Sequence, residues 1–225
     1  MVGLQILKRQ RQVDARVVEN FRALPVANIS DCMSRMTAGG DRLRPMHSSG
    51  GLAGPALTVK TRPGDNLMIH KALDLAQPGD VIVVDGGGDL TNALIGEIMV
   101  TYAKKRGIAG FVMNGAIRDL YIIRSGTFPV FTAGVTHRGP YKDGPGEINV
   151  SIAIDGMVIN PGDLIVGDFD GFLCVPYDAV ETVYAAAKSK SAAEVKTLTG
   201  VAEGVLDTSW VDAALKRIGC DPHPR

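Results

Sequence analysis

We predict a single mixed α/β domain over residues 1–225, in which helices cover β-sheets. Short apolar runs bounded by turn residues, helical patterns around those runs, and an abundance of glycine support this class. Most of the 27 glycines lie between Gly86 and Gly171, where apolar runs of three to seven residues alternate with turns. These runs are mostly rich in Val, Ile and Phe and bounded by Gly, Pro, Asn or Asp, which is typical of strands.

The apolar runs predict seven strands. In chain order they cover residues 57–60, 81–84, 108–113, 129–131, 148–154, 164–166 and 172–175. A helical segment separates the second run from the third, so we expect these two strands to pair in parallel as a βαβ unit. The dense series of strands and turns from 128 to 175 predicts antiparallel or barrel-like pairing.

Helical patterns flank and separate the strands. Residues 13–24 place apolar side chains along one helical face, and Ser30 with Asp31 predicts the start of a short helix that runs through residue 36. Two central helices are predicted over 66–75 and 96–106. The second ends in three cations and then Gly107, which favours a left-handed cap.

The C-terminal part of the chain is predicted to be helical. Asp178 is a candidate cap for a long, alanine-rich helix from 179 to about 198, which we expect Gly200 to close. A last helix is predicted over 207–218.

The charge and cysteine content exclude several function classes. With 24 basic and 24 acidic residues the net charge is zero, which removes a general attraction to nucleic acid or anionic membranes. Three scattered cysteines do not form a zinc-knuckle or disulfide pattern. Since no apolar signal segment or membrane span is evident, we expect a cytoplasmic protein with a small-molecule partner.

A glycine-rich turn is the first candidate site. The strand ending at Asp85 runs into Gly86, Gly87 and Gly88, as in phosphate-binding loops. The Lys-Ser/Thr of a nucleotide loop is missing, and basic residues stand where a dinucleotide site needs an acid. A tight turn is therefore the favoured interpretation.

A charged pair after the third strand is the second candidate site. Arg118 and Asp119 follow the strand and a Gly turn, at the edge where open α/β sheets bind ligands. Arginine can grip a carboxylate with two parallel hydrogen bonds, and an aspartate oxygen suits Mg²⁺ or Mn²⁺. A helix start with an acidic first turn and a solvated arginine explains these two residues equally well.

Glu97 favours the ligand site over the plain helix start. It lies in the first turn of the helix before the Arg118 strand, with 20 residues between Glu97 and Arg118. A right-handed crossover would open both helix starts on one sheet edge and bring Glu97 near Asp119. The free amides of Ile98 and Met99 would then be able to receive a carboxylate.

The spacing Glu97-x20-Arg118-Asp119 resembles the D/E-x20-R-D signature of the RraA-like family. That family includes class II 4-hydroxy-4-methyl-2-oxoglutarate / 4-carboxy-4-hydroxy-2-oxoadipate aldolases and the regulator of ribonuclease activity A. The resemblance covers most of the chain, through the segments DNLMIHKAL, GDVIVVDGGG, GIAGFVMNGAIRD, PVFTAGVTHRGPYKDGPGEINV and PGDLIVGDFDGFLCVP. It implies a layered α-β-β-α sandwich with a swivelling-type β/β/α unit, assembled as a homo-oligomer (trimer or hexamer) with sites between subunits.

The resemblance also implies roles for the candidate residues. Asp119 would bind a divalent metal, Mg²⁺ or Mn²⁺, with waters in the other positions. Arg118 would bind the substrate and steady its enolate, and Glu97 would hold a metal-bound water. The amides of Ile98 and Met99 would contact the pyruvate carboxylate.

The activity implied by the resemblance is retro-aldol cleavage of either oxo acid to pyruvate plus a second oxo acid, with oxaloacetate decarboxylation as a side activity. The alternative is a non-catalytic regulator that binds another protein. Two positions depart from the aldolase pattern. Ile122 stands where many of the aldolases carry an acidic residue. The aldolases also use a glutamate from the C-terminal helix of a neighbouring subunit, and Glu194 is only a weak counterpart of that residue. Lys142 is expected to be surface charge, and His70 to be packed or at a helix edge.

Overall fold

The computed structural model describes residues 3–36 and 42–222. Within those ranges, no helix has both the length and the apolar character needed to cross a membrane. Contacts between residues divide the chain into two compact units, Met1–Ala187 and Lys188–Arg225. The larger unit contains all the strands of the described residues.

The described residues form twelve strands, seven helices and one short 3₁₀ turn at Tyr177–Ala179. The strands are β1 Leu4–Ile6, β2 Arg44–Pro45, β3 Leu52–Thr61, β4 Val81–Asp85, β5 Ala93–Ile95, β6 Gly110–Ile117, β7 Val130–Val135, β8 Gly146–Ile148, β9 Ile152–Ile154, β10 Met157–Ile159, β11 Leu164–Asp168 and β12 Gly171–Val175. The helices are α1 Ala15–Arg22, α2 Val26–Cys32, α3 Leu67–Leu75, α4 Glu97–Lys105, α5 Leu120–Arg124, α6 Val180–Ala202 and α7 Ser209–Arg217.

The main sheet has the strand order β1-β8-β3-β4-β6-β7-β2. Strands β3, β4, β6 and β7 run parallel, and β4 pairs with β6 from Val81 opposite Gly110 to Asp85 opposite Asn114. The predicted parallel βαβ unit is therefore confirmed. β5 adds to the C-terminal end of β6, and β11 joins the N-terminal half of β3 before pairing with β12.

Three apolar clusters define four layers in the larger unit. The first cluster packs α3, α4 and α5 against one face of β3, β4 and β6. The second lies between the opposite face and strands β9 to β12. The third packs α1, α2 and the start of α6 on β11 and β12. This alternation confirms the expected α-β-β-α sandwich, because a sheet that is apolar on both faces must be covered on both.

Two predicted elements of the larger unit are corrected by the structure. The second helix does not start at Ser30 but at Val26, whose N–H donates to the Asp168 carboxylate at 3.0 Å, after Pro25. The single strand predicted over 148–154 is wrong. Asn149 has a φ of 58°, which turns the chain out of β8 and into β9 in the next layer.

The predicted helix ends and pairings are confirmed in part. Gly107 has a φ of 73°, as expected of a left-handed cap after α4. Gly200 does not close α6, which continues to Ala202 and is followed by Gly204 at a φ of 71°. Asp178 lies in the 3₁₀ turn and pairs with Arg11. The stretch 128–175 contains antiparallel pairs, but β7 runs parallel to β6.

Candidate functional site

A small cavity lies where β5 and β6 pass into α4 and α5. Its volume is about 170 Å³, well below the roughly 300–1,000 Å³ of pockets that hold drug-sized ligands, so it suits a small metabolite. Buried residues form its floor, and among them are Asn66, Leu94, Ile95, Gly96 and Met99. Exposed residues form its rim, and they are His70, Ile98, Arg118, Asp119 and Lys142.

Asp119 joins the two helix starts of this site. Its backbone is left-handed, with φ 60° and ψ 37°, a conformation that Asp tolerates better than most residues. The Oδ2 atom accepts a hydrogen bond of 2.8 Å from the N–H of Glu97, and the Nε atom of Arg118 lies 3.9 Å from the same oxygen. The side chain of Asp119 does not cap its own helix α5. The interpretation of Asp119 as a plain helix start therefore does not account for its hydrogen bond with the Glu97 N–H.

Gly96 makes this close approach possible. A Cβ atom at position 96 would overlap the Asp119 Oδ2 atom and would lie 3.0 Å from Cγ of Arg118. Gly96 precedes α4 in extended backbone and forms the N-cap of that helix. Any larger residue at position 96 would therefore move Asp119 or Arg118.

The start of α4 presents free backbone donors to the cavity. Ile98 and Met99 both line it, and they occupy helix positions whose N–H groups have no intrahelical acceptor. The described residues provide neither N–H with another acceptor. Such a helix start attracts a carboxylate, which the Arg118 guanidinium could grip from another side.

The buried carboxylate of Asp65 organises another part of the cavity wall. Its oxygens accept hydrogen bonds from the N–H groups of Leu67, Asp143 and Gly144 at 2.8–2.9 Å and from the Arg62 guanidinium at 3.1 Å. Burial raises the pKa of this carboxyl, but the three amides and Arg62 outweigh that effect and hold it below its ordinary value. Asp65 thereby ties the start of α3 to residues 140–144.

His70 and Lys142 stand close enough at the rim to interact electrostatically. Partial burial and the positive charge of Lys142 lower the pKa of His70, while Asp74 acts in the opposite direction. The neutral form of His70 is therefore favoured. Lys142 was expected to be plain surface charge. Its side chain is exposed, but it is also part of the cavity lining.

A second cavity of about 300 Å³ adjoins the same charged pair. It is lined by Arg118, Asp119, Val135, Thr136 and His137. The two charged side chains therefore border both cavities and are themselves about 40% exposed, with 44% for Arg118 and 41% for Asp119.

The structure brings Arg118, Asp119 and residues 96–99 together. The main chain of Glu97 contacts Asp119, whereas its exposed side chain does not line the first cavity. Ile122 is 45% exposed in α5. Glu194 belongs to the Lys188–Arg225 unit, where it pairs with Lys190 at 3.5 Å.

Sequence reasoning missed Asn66 and Lys142 as lining residues. Asn66 lies within the segment DNLMIHKAL, which the resemblance already marked, so a signal for it existed. Lys142 lies within the segment PVFTAGVTHRGPYKDGPGEINV, which the resemblance also marked, and it directly precedes Asp143 and Gly144, whose N–H groups bind Asp65.

The donor set at Asp119 suits a hard divalent cation. In the described residues, no hydrogen bond reaches its Oδ1 atom, so this oxygen is available as a ligand. Residues 3–36 and 42–222 contain no group of three or more His, Cys, Asp or Glu side chains that could hold a metal. One carboxylate with water and ligand oxygens in the other positions is a common arrangement for Mg²⁺.

Comparison with known proteins identifies relatives along most of the chain. The family model described as RraA-like, Aldolase/RraA, matches residues 26–174. A protein of Halalkalibacterium halodurans, provisionally named a 4-hydroxy-4-methyl-2-oxoglutarate aldolase, is 40% identical over 87% of this chain and 93% of its own.

Two solved structures share the fold. An uncharacterized protein from Pseudomonas syringae pv. tomato str. DC3000 has a TM-score of 0.78 at 25% identity, over 86% of this chain and 95% of its own. The RNA-processing inhibitor RraA from Thermus thermophilus has a TM-score of 0.62 at 29% identity, over 68% of this chain and 92% of its own.

We expect Asp65→Asn to lower the free energy of unfolding by about 2–3 kcal/mol at pH 7, because a charged acceptor is lost and buried N–H donors are left unmatched. The pKa of Asp65 in the folded protein lies below its ordinary value of 3.8. The difference in the free energy of unfolding between wild type and variant is therefore complete above that pH and shrinks as the pH falls further. Urea unfolding at several pH values measures both effects.

Asp143→Asn is the matched control, because its side chain lies in the loop that Asp65 binds but is 75% exposed and 3.8 Å from Arg62. It should change the free energy of unfolding by less than about 1 kcal/mol. Equal losses in the two variants would contradict the organising role of Asp65.

Gly96→Ala should displace the Asp119 carboxylate and lower the free energy of unfolding by about 1–3 kcal/mol, because the new methyl group has no room. Urea unfolding measures the loss, and the ¹⁵N–¹H shift of the Glu97 amide reports the broken hydrogen bond. Gly200→Ala, where nothing lies within 4 Å, is the control and should be neutral or stabilising. An unchanged Glu97 amide in Gly96→Ala would contradict the steric argument.

Proposed function

This chain belongs to the RraA-like family, and from that premise we propose that it is a divalent-metal-dependent class II aldolase. Its proposed substrates are 4-hydroxy-4-methyl-2-oxoglutarate and 4-carboxy-4-hydroxy-2-oxoadipate, which it cleaves to pyruvate and a second oxo acid. Decarboxylation of oxaloacetate is the proposed side activity, because it leaves the same pyruvate enolate. The observation that carries the proposal is the meeting of Asp119, Arg118 and the free amides of α4 at one small cavity.

Asp119 is the proposed ligand for Mg²⁺ or Mn²⁺. Its Oδ2 atom is held by the Glu97 amide, which orients the carboxylate and leaves Oδ1 for the cation. A divalent cation bound there supplies a Lewis acid for the oxygen on which negative charge develops. The exposed Glu97 side chain, next to Asp119 in space, is the proposed group that acts through an ordered water and moves a proton.

Arg118 and the start of α4 are the proposed binding groups for the 2-oxo acid end of the substrate. The amides of Ile98 and Met99 would receive its carboxylate, and the planar guanidinium would add charge-assisted hydrogen bonds. Fixed donors of this kind stabilise developing charge without having to reorganise during the reaction. The apolar floor, which includes Leu94 and Ile95, limits the water around the reacting carbons.

The competing function is that of a non-catalytic regulator. It is favoured by the likeness to the Thermus thermophilus protein whose structure is described as an RNA-processing inhibitor. Release of pyruvate from 4-hydroxy-4-methyl-2-oxoglutarate, measured with Mg²⁺ and with EDTA, distinguishes the two functions. If neither the two 4-hydroxy acids nor oxaloacetate turns over in a metal-dependent manner, the regulator becomes the better proposal.

We also propose a cytoplasmic homo-oligomer, either a trimer or a hexamer. Large side chains beside the site are unusually exposed: Ile98 at 81%, Tyr121 at 84% and Ile122 at 45%. Neighbouring exposed apolar residues are typical of surfaces that bind another protein. Sedimentation velocity measures the assembly directly.

Asp119→Ala should abolish the stimulation of pyruvate release by Mg²⁺, because among the described residues it removes the only carboxylate that lines the cavity. Titration calorimetry with Mn²⁺ measures the loss of binding without depending on turnover. Asp178→Ala is the control, since that side chain is 72% exposed and pairs with Arg11 outside the cavity. Full Mg²⁺ stimulation in Asp119→Ala would contradict the metal role.

Arg118→Lys should lower kcat/KM by roughly 100-fold or more, because an ammonium cannot reproduce the two parallel hydrogen bonds of the guanidinium. Steady-state kinetics of pyruvate release measures the effect. Arg124→Lys, in the last turn of α5 and outside the cavity lining, is the control and should keep wild-type kinetics. Wild-type kinetics in Arg118→Lys would contradict the bidentate role.

A further inference from the structure

Another cavity of the larger unit lies beside the chain segment that follows β1. Its volume is about 420 Å³, within the roughly 300–1,000 Å³ of pockets that hold organic ligands. Among the described residues, it shares no lining residue with the cavity at Arg118 and Asp119. We call it the N-terminal cavity, and its lining residues include Ile6, Leu7, Lys8, Arg9, Leu57 and Leu75.

Large apolar side chains form much of the wall of the N-terminal cavity. Leu57 of β3 is buried, with only 3% of its surface exposed. Three others keep a large exposed fraction: Ile6 at 47%, Leu7 at 44% and Leu75 at 41%. Exposed apolar side chains that border one cavity are typical of a surface that binds a ligand or partner. The wall therefore favours an occupant with an apolar body.

The charged side chains that line the N-terminal cavity all have the same sign. They are Lys8 and Arg9, and within residues 3–36 and 42–222 no Asp or Glu lines the cavity. The Nη1 atom of Arg9 lies 2.8 Å from Oδ1 of the buried Asp80, which neutralises the charge of Arg9. Lys8 is exposed and has no ion-pair partner in the described part of the chain. One uncompensated positive charge therefore borders the cavity.

The same lysine also borders an adjoining cavity of about 420 Å³. Leu7, Lys8 and Asn149 line both cavities, and the described residues contribute no carboxylate to the lining of either. The other cation of the adjoining cavity is Arg11, which pairs with Asp178 at 2.9 Å. An anion bound at Lys8 would therefore meet no acidic side chain in the lining, although the whole chain has equal numbers of acidic and basic residues.

Hydrogen bonds between distant parts of the sequence hold the walls of the N-terminal cavity in place. The Asp80 carboxylate accepts from the Arg9 guanidinium and from the Gln77 N–H, each at 2.8 Å. The Nδ2 atom of Asn149 donates to the Leu7 carbonyl at 2.9 Å. A cavity whose walls are already fixed needs little ordering when a ligand binds, and this favours affinity.

We propose that the N-terminal cavity binds a monocarboxylic acid with a compact apolar body, such as an aryl or branched alkyl acid. Lys8 binds the carboxylate, and the apolar body lies against Leu57, Leu75 and Ile6. A single unpaired lysine matches one negative charge, which favours a monocarboxylate over a phosphate ester or a dicarboxylate. The inference goes beyond the proposed function and does not depend on it, because the two cavities use different residues.

Phenylacetate is the probe for this site, because it joins one carboxylate to a compact ring. Titration calorimetry should give a dissociation constant on the order of 1 mM or lower, as expected for a ligand of this size. Phenylacetamide, which lacks the charge, should bind roughly 5-fold or more weakly, and acetate, which lacks the ring, roughly 10-fold or more weakly. The proposal is overturned if phenylacetate does not bind, or binds no better than either of these compounds.

Lys8→Met removes the charge and keeps a long side chain. It should weaken the binding of phenylacetate by roughly 5- to 20-fold and leave that of phenylacetamide nearly unchanged, because only the carboxylate uses the charge. Lys105→Met is the control, since Lys105 is exposed at the end of α4 and does not line the N-terminal cavity. An unchanged ratio of the two dissociation constants in Lys8→Met would overturn the carboxylate contact.

Leu75→Glu tests the apolar wall by placing a negative charge in it. It should weaken the binding of phenylacetate by roughly 10-fold or more, through the loss of apolar contact and the repulsion of the carboxylate. Val158→Glu is the control, because Val158 is 58% exposed on β10 and does not line the cavity. Circular dichroism and thermal unfolding establish that both variants are folded. Equal affinities in the two variants would overturn the apolar contact.

The cavity at Arg118 is the other place where phenylacetate could bind, because a guanidinium and free helix amides also receive carboxylates. Arg118→Ala distinguishes the two sites, and it should leave the dissociation constant of phenylacetate nearly unchanged. If Lys8→Met does not weaken binding more than Arg118→Ala does, the probe binds at the proposed active site and the inference is overturned. That result would leave the proposed aldolase activity untouched, because its tests do not use Lys8.

Discussion

The hydrogen bond between the Glu97 N–H and the Asp119 carboxylate is the constraint on which the site depends. It joins the N-terminus of α4 to the turn between β6 and α5, two segments that are 22 residues apart in sequence. The bond requires a left-handed backbone at Asp119 and the absence of a side chain at Gly96. Each of these features restricts the sequence, and together they hold a half-exposed carboxylate beside free helix amides. A strained residue that persists at a cavity mouth is typical of a functional position.

A second carboxylate performs the same kind of task at another part of the cavity wall. Asp65 is fully buried and receives three backbone N–H groups and one guanidinium. Its bonds join α3 to residues 140–144, which come from a distant part of the sequence. Backbone amides bonded to a carboxylate hold loops more firmly than neutral pairs do, since charge-assisted hydrogen bonds are about twice as strong. The cavity is thus shaped by two carboxylates, one buried for structure and one exposed for chemistry.

The division of the cavity into floor and rim follows from the layered fold. Strand β5 is buried along its whole length, so its residues provide the apolar part of the floor. Charged side chains stay hydrated at the open side of the cavity, where Arg118 and Asp119 precede α5 and Lys142 lies in the loop before β8. Their charges face a small volume that is only partly open to water, which strengthens electrostatic interactions with an anionic ligand relative to those in bulk solvent.

The sequence by itself determined the class of fold, the parallel pairing of β4 with β6, and the cap at Gly107, because these depend on periodicity and on residues close together in the chain. It also indicated Arg118, Asp119 and the α4 start, through their positions after consecutive strands. Only the tertiary structure decided the start of α2 at Val26 and the break at Asn149, which depend on partners far away in sequence. The same holds for the lining by Asn66 and Lys142: a hydrogen bond between distant segments leaves no periodic trace in either of them, so packing alone shows that they meet.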